Sequence, residues 1–253
     1  MKRTLLVIPH YNDTRRLTPF LSELGTHLSS HFSVLVSDDG SLESERESLR
    51  LICETSRKNA SVKGPQILPP LFTQANTGKG GAIIRGWEQG EGFEHLAFVD
   101  ADGAVGPSEI IRAEQYFRGA SIDALFGSRV KMLGRSISRS RARHYSGRIF
   151  ATLVSTLLTV PAYDTQCGLK IITLGAYQKI RNSFKSCGFA FDVELLIRLI
   201  DARCPVEEFP IDWHDVQGSK VSLVRDSFLM AREVFKIRER RHNELAQNHE
   251  SMS

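Results

Sequence analysis

The sequence predicts an α/β fold: one domain with a mostly parallel central sheet flanked by helices. Short apolar runs alternate with segments of helical period through the first half of the chain. Each run leads into a polar or glycine-rich cluster, as at the carboxyl edge of an open sheet. The chain has 253 residues, 41% hydrophobic and 25% charged, enough for a full core without staples.

Thr4 to Ile8 reads as a buried parallel strand ending at Pro9. Its apolar run is too short for a signal peptide. Leu17, Phe20, Leu21, Leu24 and Leu28 then recur with helical period. Phe32 to Ser37 is the second strand, and residues 43–60 are helix-compatible. Gln66 to Phe72 is a third strand interrupted by Pro69 and Pro70. A glycine-rich turn at 78–81 opens a helix through Ile83, Ile84 and Trp87. His95 to Val99 and Ala124 to Phe126 are the next strands.

The second half is less regular. A basic, Ser-rich stretch (128–148) leads into an amphipathic helix and a turn at 161–168. A strand at Leu169 to Thr173, helices at 175–182 and 190–202, a strand at Val206 to Ile211 and a helix at about 222–241 follow. Residues 244–253 read as a polar, frayed tail.

Composition narrows the function. Cys53, Cys167, Cys187 and Cys204 are scattered without a C-x-x-C spacing, which excludes a typical zinc site and fits a reducing cytosol. The apolar segment Ile149 to Tyr163 has 15 residues and four Ser or Thr. A spanning helix needs ~20 apolar residues, so no membrane crossing is expected. Net charge is +4, but its distribution matters more. Arg129, Lys131, Arg135, Arg139, Arg141, Arg143 and Arg148 form a basic run without an acid. Such a run attracts phosphate groups.

Four clusters carry the chemistry. Pro9-His10-Tyr11-Asn12-Asp13 follows the first strand, and Asp38-Asp39-Gly40-Ser41 the second. The latter suits ribose or base contacts, or simply a β-turn. Asn76-Thr77-Gly78-Lys79-Gly80-Gly81 precedes a helix and suits an anion, or a plain glycine turn. It is neither a Walker A nor a dinucleotide fingerprint. Asp100-Ala101-Asp102 is the sharpest cluster. In extended backbone residues i and i+2 point the same way, so two carboxylates would face one Mg²⁺ or Mn²⁺. The bland alternative is a pair of loop aspartates capping the next helix.

Farther on, Phe150, Leu153, Val154, Leu157 and Leu158 make an apolar stripe beside the basic run. The stripe suits a membrane-interface helix or a core helix. Asp164 to Lys170 and Gln217 to Lys220 are ordinary turns by pattern alone.

Together and in order, these segments resemble the family 2 glycosyltransferases of the GT-A fold over about residues 4–240. Among them the chain is similar to the polyprenyl-phosphate hexosyltransferases. The telling segments are Gly78-Lys-Gly-Gly-Ala82, Val99-Asp-Ala-Asp-Gly-Ala104, Gly127-Ser-Arg129, Asp164-Thr-Gln-Cys-Gly-Leu-Lys170, Ala190-Phe-Asp-Val-Glu-Leu-Leu196 and Gly218-Ser-Lys220. The Asp-Ala-Asp-Gly-Ala and Asp-Thr-Gln-Cys-Gly-x-Lys segments look closer to the dolichyl-phosphate glucosyl branch than to the mannosyl branch, which implies UDP-glucose as donor.

The resemblance implies a nucleotide-binding half at 1–127 and an acceptor-binding half at 128–243. Pro9, Tyr11, Asp13, Asp38, Asp39, Asn76, Lys79 and Ala101 would surround the nucleotide, and Asp100 and Asp102 would hold the metal on the diphosphate. Arg129, Arg139, Arg143 and Arg148 would receive the acceptor phosphate, and Lys220 would close over the donor. Asp102, Arg129, Asp192 and Lys220 would carry catalysis. Asp13 stands where Glu is usual, His10 replaces a smaller residue, and Ala104 stands where the mannosyl branch has a polar metal partner.

A polyprenyl phosphate, largely dianionic at neutral pH, needs no general base. A hydroxyl acceptor needs one, and Asp164, Asp192 and Glu194 are the candidates. The implied enzyme is peripheral at the cytoplasmic membrane face, without a nucleic-acid partner. The competing readings are a family 2 transferase acting on a soluble glycan hydroxyl, a sugar nucleotidylyltransferase and a non-catalytic phosphate- or membrane-binding module.

Overall fold

The computed structural model describes residues 3–130, 132–138, 157, 163–188, 190–214, 216 and 223–250. Strands β1 (Thr4–His10), β2 (Phe32–Asp38), β3 (Gln66–Ile67), β4 (His95–Val99), β5 (Ala124–Ser128), β7 (Leu169–Thr173) and β8 (Val206–Pro210) form one sheet in the order β3-β2-β1-β4-β7-β5-β8. A short pair, β6 (Ile137–Ser138) and β9 (Trp213–His214), stands apart. The helices are α1 (Thr14–His27), α2 (Glu43–Asn59), α3 (Lys79–Trp87), α4 (Pro107–Gly119), α5 (Leu174–Ile180), α6 (Phe191–Asp201) and α7 (Leu223–Glu250).

Alternation along the strands sorts two cores. Leu5 and Val7 point to the face covered by Trp87 of α3, Tyr177 of α5, Phe191 of α6 and Val234 of α7. Leu6 and Ile8 point to the other face, against Leu21 of α1, Leu49 of α2 and Ile110 of α4. Trp87 is fully buried, and its indole N–H donates to the Ala97 carbonyl at 3.1 Å.

The mostly parallel sheet is as expected, with one inversion. β7 runs antiparallel to both neighbours, pairing Val99 with Leu169 and Phe126 with Lys170. The start of β7 therefore lies at the edge where β1, β2, β4 and β5 end. That reversal carries Asp164 to Gly168 to the same edge as Asp100.

The short pair β6 and β9 has no counterpart in the sequence reading, and three further elements differ from it. The third strand is cut to Gln66–Ile67, with one further bridge from Leu71 to Ser37, because Pro69 and Pro70 have no N–H to donate. α4 is additional, with Pro107 in its first turn and Ile110, Ala113 and Phe117 on its buried side. α7 runs on to Glu250, through the segment expected as a frayed tail. There Arg198 of α6 pairs with both oxygens of Glu244, which fastens the helix to the domain.

Candidate active site

The carboxyl edge gathers the acidic clusters as the sheet rule requires. His10 and Asp38 end β1 and β2 in register, and Nδ1 of His10 lies 2.9 Å from Oδ1 of Asp38. The Asp13 N–H donates to Nε2 of His10 at 3.2 Å. Nε2 is thus the acceptor and Nδ1 carries the proton that bonds Asp38. The other Asp38 oxygen accepts from the Ser41 N–H at 3.0 Å and lies 3.5 Å from Arg46. Burial works to raise the Asp38 carboxyl, but the bonds from His10 and Ser41 win and hold it below its ordinary range.

Asp39, expected near the nucleotide, turns its oxygens to the next loop. They accept from the Thr77 N–H (3.0 Å), the Thr77 hydroxyl (2.9 Å), the Gly78 N–H (2.6 Å) and Arg85 (2.7 Å). Asp39 thereby fixes the turn that opens α3. Gly78 sits there at φ +90°, where a Cβ would meet the Cys187 carbonyl oxygen at 2.7 Å. Asn76 is exposed and accepts from the Gly78 N–H at 3.1 Å. Pro9 is half-buried in β1, and Tyr11 is exposed at the rim.

Asp100 follows β4 directly, and its N–H donates to Gly168 across the β4–β7 pair at 3.0 Å. Ala101 and Asp102 already lie in a turn, so extended backbone is not what brings the carboxylates together. The turn does so. Burial and the neighbouring Asp100 charge raise the Asp102 carboxyl above its ordinary value. Asp102 also accepts from the Ala104 N–H at 3.0 Å. Two like charges that act on one another in this way favour a cation beside them.

The cation Lys79 reaches Asp100 at 2.9 Å and Asp192 at 3.3 Å. Burial opposes the Lys79 charge, but these two carboxylates hold its pKa above the ordinary lysine range. Asp192 takes Lys170 on its other oxygen at 2.5 Å. Lys170 also donates to the carbonyls of Thr165 and Cys167.

Exposure separates the carboxylates. The side chains of Asp100 and Asp102 remain 36% and 28% exposed, whereas Asp192 is 1% exposed with an ammonium on each oxygen. Only the first two are open to a ligand. They are hard oxygen donors, so they fit Mg²⁺ or Mn²⁺. Among the described residues there is no group of three or more His, Cys, Asp or Glu that could hold a metal.

Arg129, just past β5, is held by Asp164 in a two-pronged pair, Nε to Oδ2 at 2.6 Å and Nη2 to Oδ1 at 2.8 Å. Its guanidinium lies 5.5 Å from the Trp213 ring centre. Burial works to raise the Asp164 carboxyl, but Arg129 wins and lowers it. Glu194 accepts from the N–H groups of Lys185 (3.0 Å) and Ser186 (2.6 Å).

The structure thus brings together Asp13, Asp38, Lys79, Asp100, Asp102, Arg129 and Asp192. Arg139, Arg143, Arg148 and Lys220 lie outside the described residues, as does nearly all of the 149–160 stripe. Sequence reasoning missed Arg16, Arg46 and the role of Lys170. For Arg16 the available signal was its position three residues after Asp13 on a helix.

A model of glycosyl transferase family 2 matches residues 5–184. The chain belongs to that family. This family 2 glycosyltransferase is 36% identical over 249 residues to the dolichyl-phosphate beta-glucosyltransferase of Saccharomyces cerevisiae, covering 92% of this chain and 73% of that one. It is 28% identical to the enzyme of the same name from Dictyostelium discoideum, with the same coverage. The fold matches a crystal structure of glucosyl-3-phosphoglycerate synthase from Mycobacterium tuberculosis, in complex with Mn²⁺, UDP and glucosyl-3-phosphoglycerate. That match has a TM-score of 0.65 at 12% identity and covers 93% of this chain and 78% of that one. The architecture is the GT-A fold.

Proposed function

We propose that this enzyme moves glucose from UDP-glucose to a polyprenyl phosphate of the dolichyl type, with inversion, at the cytoplasmic face of a membrane. The observation that carries the reading is the fate of the buried acids. Each carboxylate weighed as a base for a hydroxyl acceptor is otherwise engaged: Asp164 by Arg129, Asp192 by Lys79 and Lys170, and Glu194 by two backbone N–H groups. A phosphate dianion needs none of them. Its second pKa is near ~6, so at neutral pH it is already the nucleophile. The names of the relatives support the same acceptor, and the soluble-hydroxyl alternative is not favoured.

In this reading Asp100 and Asp102 hold a divalent ion on the donor diphosphate, where the ion supplies charge neutralisation for the departing nucleotide. Lys79 fixes Asp100 from behind. Arg129, oriented by Asp164, presents a positive group to the incoming phosphate. The Trp213 ring supports its plane. Among the described residues no helix is long and apolar enough to cross a membrane. Contact with lipid would then be made at the bilayer surface, where the acceptor's phosphate lies.

The test is a donor comparison. Purified full-length protein, Mn²⁺ and a short polyprenyl phosphate are incubated with UDP-glucose or GDP-mannose. Glucosyl lipid should form at least about tenfold faster than mannosyl lipid, roughly the discrimination of 1.4 kcal/mol. Equal or faster transfer from GDP-mannose contradicts the donor assignment.

A further inference from the structure

Each member of the Asp100–Asp102 pair already faces a built-in cation. For Asp100 it is Lys79, at 2.9 Å. For Asp102 it is Arg16, in the first turn of α1, whose Nη1 lies 3.9 Å from Oδ2. Arg16 is turned that way by Asp13. That carboxylate binds Nε at 2.6 Å and also Nη2, leaving Nη1 on the side of Asp102.

The two cations are held differently. Lys79 is pinned from behind by the buried Asp192. Arg16 is held by Asp13, which is itself at the surface, and stays 22% exposed.

We propose that Arg16 is the resident counter-ion of Asp102, and that a divalent ion enters the carboxylate pair only by displacing it. The proposal rests on the reading of Asp100 and Asp102 as metal ligands. It makes the lone ion a weak ligand, because the ion competes with a tethered positive charge. A nucleoside diphosphate changes the balance. It brings negative oxygens to the same place and gives the displaced guanidinium a new partner. Metal and donor therefore bind cooperatively, and Arg16 supplies part of the coupling. Arg16 acts through Asp102 and is a positioning residue.

The test titrates full-length wild type, R16K, R16Q and R16M with Mn²⁺, reading the free-ion paramagnetic resonance signal with and without UDP. Without UDP, R16Q and R16M should bind Mn²⁺ about tenfold more tightly than wild type, in line with one charge removed a few ångströms from the ion in a half-exposed site. R16K, which keeps the charge, should stay near wild type. The tightening produced by UDP should be smaller in R16Q and R16M than in wild type. Circular dichroism melts confirm that each variant is folded, and R16M preserves the packed stem if R16Q does not fold. Unchanged or weaker Mn²⁺ binding in both uncharged variants overturns the proposal. D102N separates the two levels of the reading. It should lose Mn²⁺ binding, and if it binds like wild type, the metal assignment is lost and this inference falls with it.

Discussion

Lys170 and Asp192 form an ion pair with almost no access to solvent: Nζ and Oδ1 lie 2.5 Å apart, and the side chains are 0% and 1% exposed. The second Asp192 oxygen takes Lys79, which in turn holds Asp100. A chain of alternating charge thus runs from β7 through α6 to the edge of the sheet.

Removing Lys170 strips the cation from one oxygen of the buried Asp192 and leaves Lys79 alone on the other. Lys170→Met should cost roughly 3–5 kcal/mol, the usual penalty when one member of a buried pair is removed. Urea denaturation measures it. A loss below about 1 kcal/mol, the scale of exposed pairs, contradicts the structural role.

Gly168 tests the placement of Asp100 separately. A Cβ at this position would run into the Asp100 carboxylate itself. Gly168→Ala should therefore move Asp100 and lower both transfer rate and Mn²⁺ affinity by about tenfold or more, since small misplacements at a reacting centre are costly. Steady-state kinetics and Mn²⁺ titration check it.

Arg129 is bound by a fork that lysine does not reproduce. Arg129→Lys should raise KM for the phosphate acceptor by about tenfold while leaving KM for the donor nearly unchanged. A larger effect on the donor would move Arg129 out of the acceptor site.

At the opposite edge, Glu114 accepts from Thr4 at 3.0 Å and pairs with Arg118, with His31 at 3.3 Å and His95 at 3.9 Å. Burial works to raise its carboxyl, but His95 and Arg118 win and bring it down to about 2. The folded pKa thus lies below the ordinary value of about 4.5, so this contribution is complete above that pH and is lost as pH falls towards 2. The wild-type Tm should drop more steeply than that of Glu114→Gln between pH 4.5 and 2. Parallel curves contradict the assignment.

Much of the fold is legible in the sequence because buried parallel strands leave apolar runs with polar ends. Leu5 to Ile8 and Leu96 to Val99 are such runs. The direction of β7 is not legible, because a short buried strand such as Leu169-Lys170-Ile171-Ile172 carries no sign of which way it runs. Asp100, Asp102 and Asp39 all stand out by their position at strand ends, but position alone does not tell what each carboxylate faces. A carboxylate at a strand end looks the same whether it faces a ligand or, as Asp39 does, Thr77 and Gly78. Lys170 and Glu244 act through partners distant in sequence, Asp192 and Arg198, and nothing local announces them; for Arg16 the spacing from Asp13 shows the pair but not the reach to Asp102.

The most direct measurement offers the purified enzyme UDP-glucose with a matched pair of acceptors, a polyprenyl phosphate and the corresponding free polyprenol. Product should form from the phosphate alone, with the rate climbing through pH ~6 as the dianion appears. Comparable glucosylation of the polyprenol would show that a protein base activates a hydroxyl, and would contradict the account.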